Sequence, residues 1–152
     1  LDLYSGSGVI GCEAIERGAK SVLAIELNKR VYKACLSNLS TIAYASDHEV
    51  SIKVVNGEVN KILKSGFKEY VKGTYQEDHR FDFIYIDPPY KIKAYIPVLE
   101  NLLRGNWVTK ESLAICEFSI EEGIDDIPHN WIIKNQKSYG DTGLLFLTPN
   151  QA

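Results

Sequence analysis

The chain has 152 residues, 45% hydrophobic and 24% charged, proportions that suit one folded domain with a single core and exclude disordered, collagen-like and low-complexity classes. Seventeen lysines and arginines against 20 aspartates and glutamates leave a net charge of -3, which excludes a whole-chain basic signature for nucleic acid or anionic membrane. A polyanionic partner would need a local patch.

In chain order, Leu1-Asp2-Leu3-Tyr4 reads as the carboxyl half of a buried strand, since such strands usually run to about five or six residues. A Gly-rich turn follows, then a short helix over Val9 to Arg17 that Gly18 can end from a left-handed cap. Ser21 to Glu26 is a near-continuous apolar run closed by an acid, as in a strand covered on both faces. Asn28 is the expected N-cap of the next helix, with Val31, Ala34, Cys35, Leu36 and Leu39 as its apolar stripe. Val50 to Val55 is the third strand, and Val59, Ile62, Leu63, Phe67 and Tyr70 carry one helical spacing after it. Residues 72–80 read as a polar loop, and Phe81 to Ile86 as a strand stopped by Asp87-Pro88-Pro89-Tyr90. Ala94 to Leu103 forms a helix and Leu113 to Phe118 a fifth strand. Trp131-Ile132-Ile133 and Leu144 to Leu147 then flank a Gly-rich turn as an antiparallel hairpin. The expectation is an α/β fold: a mostly parallel sheet, helices on both faces and an antiparallel C-terminal hairpin.

In such sheets ligands sit beyond the carboxyl ends of the strands, where strand order reverses. At the first strand end, Gly6, Gly8 and Gly11 form Gly-x-Gly-x-x-Gly at the opening of a helix, letting backbone N–H groups approach a ligand. Alone this is also what a plain tight turn looks like. Glu26, 18 residues after Gly8, stands near the offset at which an acid accepts hydrogen bonds from ribose hydroxyls; paired with the glycines it points to an adenosine ligand. Nicotinamide dinucleotides and S-adenosylmethionine both satisfy that pattern. Asp87-Pro88-Pro89-Tyr90 is more selective. Two prolines remove two donors and restrict their neighbours, so the element rigidly aims a carboxylate, the Pro88 carbonyl and a ring. The two acceptors suit both hydrogens of an exocyclic amino group, and the Tyr90 face suits a flat base.

Asp2-Leu3-Tyr4-Ser5-Gly6-Ser7-Gly8 followed by Asp87-Pro88-Pro89-Tyr90 resembles class I S-adenosylmethionine-dependent amino methyltransferases of Rossmann-like fold, and most closely the bacterial 16S ribosomal RNA guanine-N2 methyltransferase family. The likeness spans nearly the whole chain, including Val54-Val55-Asn56, Cys116-Glu117-Phe118-Ser119 and Tyr139-Gly140-Asp141-Thr142. It implies residues 1–152 as one methyltransferase domain lacking an N-terminal segment, which in the family is basic and helps engage RNA. It further implies that Gly6 and Gly8 line the methionine part of S-adenosylmethionine, with Asp2 and Ser5 nearby. Glu26 would hold the ribose hydroxyls, Leu27 would pack on the adenine, and Gly57, Glu58 and Val59 would lie near the adenine amino group. Asp87, Pro88, Pro89 and Tyr90 would be the catalytic element, and the partner would be 16S ribosomal RNA or an assembling small subunit.

No metal is expected. His48, His79 and His129 fall in polar loops without ligand spacing, and Cys12, Cys35 and Cys116 are 23 and 81 residues apart, unlike a disulfide framework or a ligand pair. Free thiols and the lack of any run near the roughly 18 apolar residues of a membrane span favour the cytoplasm. Lys91 and Lys93, beside Tyr90, are candidates for phosphate contact or for ordinary solvated surface. A dinucleotide-dependent oxidoreductase would share the glycines and Glu26 but leaves Asp87 to Tyr90 unexplained. Methylation of DNA adenine or of a protein glutamine uses related Pro-Pro-aromatic elements, and a non-catalytic cofactor-binding scaffold for ribosome assembly is a third class.

Overall fold

The computed structural model describes residues 1–71, 79–89, 95–124 and 126–150. Its elements are β1 (Asp2–Leu3), α1 (Val9–Glu16), β2 (Ser21–Glu26), α2 (Lys29–Ala45), β3 (Ser51–Asn56), α3 (Val59–Ser65), α4 (Phe67–Val71), β4 (Phe83–Ile86), α5 (Tyr95–Arg104), β5 (Leu113–Ser119), β6 (Trp131–Tyr139) and β7 (Thr142–Pro149). They build one seven-stranded sheet in the order β3-β2-β1-β4-β5-β7-β6. β1 pairs in parallel with both β2 and β4, so the order reverses on either side of it. β7 runs antiparallel to β5 and β6. Most of the expected polar loop, residues 72–78, lies outside the described residues.

Side chains alternate across the sheet with the period of two that strands impose. On β2, Leu23 and Ile25 enter the larger core with Leu3, Ile84, Ile86, Ala114, Cys116, Leu145 and Leu147. That face is covered by α3, α4 and α5 through Ile62, Leu63, Phe67, Val98, Leu99 and Leu102. Val22 and Ala24 point the other way, to a smaller core with Ile15 of α1 and Cys35 and Leu39 of α2. Helices on both faces and the antiparallel terminal hairpin agree with the sequence reading.

Several local expectations shift. In α2 only Cys35 and Leu39 are buried, while Leu36 is 38% exposed and Ala34 also faces out. The residues of α2 that pack on the smaller core are Cys35, Leu39, Ile42 and Ala43, a narrower stripe than the apolar spacing suggests. The single helix expected over Val59 to Tyr70 is two, broken at Gly66, whose φ of 88° no helix accommodates. The hairpin strands are longer than the apolar runs suggested: β6 reaches Tyr139, and Gly140 with φ 56° takes the first place of a two-residue turn. Pairing to β7, not side-chain burial, holds the exposed part of β6 in the sheet. His48 is half-buried, its Nε2 lying 3.1 Å from the Ala19 carbonyl, so it ties two loops together and is not free surface.

Gly105 closes the larger core. A Cβ there would overlap the Leu63 carbonyl oxygen and stand 2.5 Å from Trp107 Nε1, the pair joined by a 2.8 Å hydrogen bond. Gly105→Ala is therefore expected to destabilise the fold by about 1–3 kcal/mol, the usual range for overpacking, read as a lower urea midpoint at unchanged slope.

Candidate active site

The loop leaving β1 is tied to β2. Ser5 N–H donates to the Ile25 carbonyl (3.0 Å), and Gly8 N–H to the Ser5 carbonyl (2.8 Å). Gly8, with φ 84°, is the cap residue before α1, and a Cβ on it would stand 2.8 Å from Cys35 Sγ. The glycine thus lets α1 and α2 close on each other beneath the loop. Gly6 differs: its φ is 53°, and a Cβ there would meet nothing within 4 Å, so the space above it is open to a ligand.

Glu26 faces this loop across the crevice. Gly6 N–H donates to its Oε2 (2.9 Å) and Asn28 N–H to its Oε1 (2.7 Å), so both carboxylate oxygens are anchored while each keeps a lone pair for a further donor. Asn56 Nδ2 donates to the Glu26 and Leu27 carbonyls at 2.8 and 2.9 Å, which pins the end of β2 to β3. Leu27 is left 67% exposed beside them, an apolar surface the core does not use. Gly57 packs tightly under Ile62, and Glu58 caps α3, its oxygens accepting from Asn60 N–H (2.8 Å) and Lys61 N–H (2.7 Å). Val59 is buried in the larger core.

On the other side of the switch point, Asp87 follows β4 and its N–H reaches the Leu3 carbonyl at 3.5 Å. Asp87 is half-buried, Pro88 buried and Pro89 exposed; Tyr90, Lys91 and Lys93 lie outside the described residues. Asp2 is 4% exposed, and its Oδ2 has no hydrogen-bond partner among the described residues. Burial, reinforced by Asp87 and Glu26, raises the Asp2 carboxyl to about 6. Burial and then the charge of Glu117 raise Asp87 likewise to about 6. The structure thus places Asp2, Ser5, Gly6, Gly8, Glu26, Leu27, Asp87 and Pro88 at the adjoining carboxyl ends of β1, β2 and β4, with Gly57 and Glu58 at the neighbouring β3 end.

From the sequence alone, Tyr4 and Asn56 stand at ligand-facing strand ends and within the family-like motifs without a role of their own, and Tyr85 stands only within a strand. Tyr4 leaves β1 with φ 62°, a conformation rare for a non-glycine residue, and is half-buried against the larger core. An amide at a strand end is the signal that points to Asn56, and the strand-end position is the signal for Tyr4; Tyr85 carries none beyond strand propensity.

The raised carboxyls set a pH dependence of stability. A carboxyl whose pKa is higher folded than unfolded binds protons in the folded state first, so stability rises as pH falls through that interval. Between pH 6 and about 4, the range from the folded values of Asp2 and Asp87 to the ordinary aspartate value, the protein is expected to gain stability on acidification. Urea midpoints at pH 5.5 and pH 4.5, below the interval in which the buried Leu1 amino group acts with the opposite sign, check it.

The fold is the Rossmann-like one of solved methyltransferase structures. The rRNA methyltransferase aviRa from Streptomyces viridochromogenes superposes with a TM-score of 0.71 at 9% identity, over 99% of this chain and 77% of its own. The solved yhhF structure from Escherichia coli does so with a TM-score of 0.77 at 24% identity, over 99% of this chain and 76% of its own. The chain belongs to the family described as conserved hypothetical protein 95, which matches residues 1–148. Ribosomal RNA small subunit methyltransferase D of Escherichia coli K12 is 29% identical over 141 residues, spanning 92% of this chain and 63% of that protein. Among the described residues, no group of three or more His, Cys, Asp or Glu could hold a metal, and no helix is long and apolar enough to cross a membrane.

Proposed function

We propose that residues 1–152 form one S-adenosylmethionine-dependent methyltransferase domain that modifies the exocyclic N2 of a guanine in small-subunit ribosomal RNA, in the cytoplasm. The observation that carries this reading is the juxtaposition, across the β1/β4 switch point, of the Gly6–Glu26 clasp with Asp87-Pro88. The residues fit the cofactor's chemistry. Glu26 has acceptor capacity for ribose hydroxyls, Leu27 offers an apolar face for adenine, and the unpartnered Asp2 Oδ2 makes the cofactor side favourable to positive charge. When bound, S-adenosylmethionine supplies an electrophilic methyl group on a cationic sulfur.

The lone pair of guanine N2 is delocalised into the ring, so the protein must localise and aim it. Asp87 and the Pro88 carbonyl accept the two N2 hydrogens, with Tyr90 as a stacking surface for the base, and Pro89 holds the element rigid. Positioning then does most of the catalytic work. An aspartate raised to about 6 is a stronger base than an ordinary one yet remains ionised at neutral pH, which suits it to take the released proton. The transfer rate is therefore expected to fall as pH drops through about 6 and Asp87 protonates. Guanine N2 lies at an edge hidden by pairing, so the base must be unpaired or extruded to enter.

The direct test is incubation with tritium-labelled S-adenosylmethionine and small ribosomal subunits, or their precursors, from cells lacking the protein. Label recovered as N2-methylguanosine supports the reading. Cofactor binding without transfer to RNA overturns it and turns attention to DNA or protein amines.

A further inference from the structure

Beside Asp87 stands a second acid that the mechanism above leaves idle. Ile86 pairs with Cys116, so the next residues along the two parallel strands, Asp87 and Glu117, lie side by side at the carboxyl edge. The Glu117 carboxylate is half-buried, and the Tyr85 hydroxyl donates to its Oε2. Tyr95 fixes the backbone at the same residue by donating its O–H to the Glu117 carbonyl. After burial, the Glu117 charge is what raises Asp87, so the two carboxylates share one local field. An acid held in this way, in a strand otherwise made of Leu113, Ala114, Ile115, Cys116, Phe118 and Ser119, carries a desolvation cost that strand formation does not require.

The chemistry of the amino-bearing bases gives it a use. In adenine and cytosine the ring nitrogen beside the exocyclic amine is a lone-pair acceptor. In guanine the amine lies between N1–H, a donor, and N3, an acceptor, so only guanine offers a donor beside its amine, on the N1 side. A carboxylate accepts and does not donate, so an acid next to the amine-holding pair favours guanine and repels the other two. We infer that Glu117 selects guanine: its Oε1 accepts N1–H while Asp87 and the Pro88 carbonyl hold N2, and Tyr85 is the positioning residue that aims it. This deepens the N2-methylation reading and rests on it.

The test uses small subunits reconstituted with RNA that carries either guanine or 2-aminopurine at the acceptor position. 2-Aminopurine keeps the amine but has a lone pair at N1 and no O6. A site built to bond an N–H discriminates strongly against an analogue lacking it, so wild type is expected to prefer guanine by on the order of 100-fold or more in kcat/KM. Glu117→Gln is nearly isosteric, and its amide can accept from N1–H or donate to the lone pair. It is expected to narrow the preference by at least about tenfold, the scale of one lost charge-assisted hydrogen bond, with cofactor Kd unchanged. Tyr85→Phe is expected to narrow it in the same direction by a smaller factor. Equal losses on both substrates would mean that Glu117 supports the strand ends alone, and the inference falls while N2 methylation stands. Failure of wild type to methylate the guanine subunits while binding the cofactor overturns the N2 reading and this assignment with it.

Discussion

Asp87→Ala is expected to lower kcat for methyl transfer by about 10²–10⁴-fold, the range for loss of a positioned acid or base, while leaving the S-adenosylmethionine Kd within about threefold. The asymmetry follows from placement. Glu26 and the glycine loop lie on the β1 and β2 side of the crevice, where the clasp is made by Gly6 and Asn28 and not by Asp87, so removing the Asp87 carboxylate leaves it intact. Fold loss is separable from catalytic loss, because Asp87 is held at about 6 by burial and Glu117 and so disfavours the folded state at neutral pH. The variant should unfold at equal or slightly higher urea. Asp87→Asn keeps an acceptor for one N2 hydrogen but cannot take the proton, so its rate above pH 6 is expected to fall between those of the alanine variant and wild type, without the acidic limb of the pH profile. Single-turnover rates, cofactor titration and urea midpoints on the same preparations check all three statements. Full activity in Asp87→Ala would remove the Asp-Pro-Pro element from the chemistry.

The second large effect is expected at Glu26, and its signature is that glutamine is no rescue. Both carboxylate oxygens already accept backbone N–H groups, from Gly6 and Asn28. A glutamine amide has one acceptor oxygen, and its NH₂ must face the other donor, whichever way it rotates. Glu26→Gln therefore breaks the clasp between the β1 loop and the end of β2 much as Glu26→Ala does. Each variant is expected to weaken S-adenosylmethionine binding by about 10- to 100-fold, one to two hydrogen bonds to a charged group. A raised KM for cofactor with kcat within a few-fold at saturation would agree. Glu26→Gln binding at wild-type affinity would show that the clasp does not organise the cofactor site.

The alternation of apolar strands with helical segments, the glycines at 6, 8 and 11, the terminal acid of β2 and the Asp-Pro-Pro stop after β4 are all local patterns, each carried by residues adjacent in the chain. Their legibility in the sequence follows from that locality. The double-proline element is informative because its backbone cost has no use within a strand, and Glu26 because an acid closes an otherwise apolar run. The break at Gly66, the outward turn of Leu36 and the reach of β6 to Tyr139 are less legible: helical spacing persists across a break, and edge pairing needs no apolar side chains.

Local chemistry along the chain is thus enough to define the class of fold, the strand ends at which ligand chemistry is concentrated, and the identity of the residues offered there. Which of those ends meet is a matter of long-range packing. That β1 lies between β2 and β4, that Gly6 N–H of the β1 loop reaches Glu26, and that Glu117 comes to lie beside Asp87 from a separate strand are consequences of non-local pairing. Strand order and register are set by which apolar faces close against which helices, and that choice is made by the packing of the whole chain rather than by any one segment.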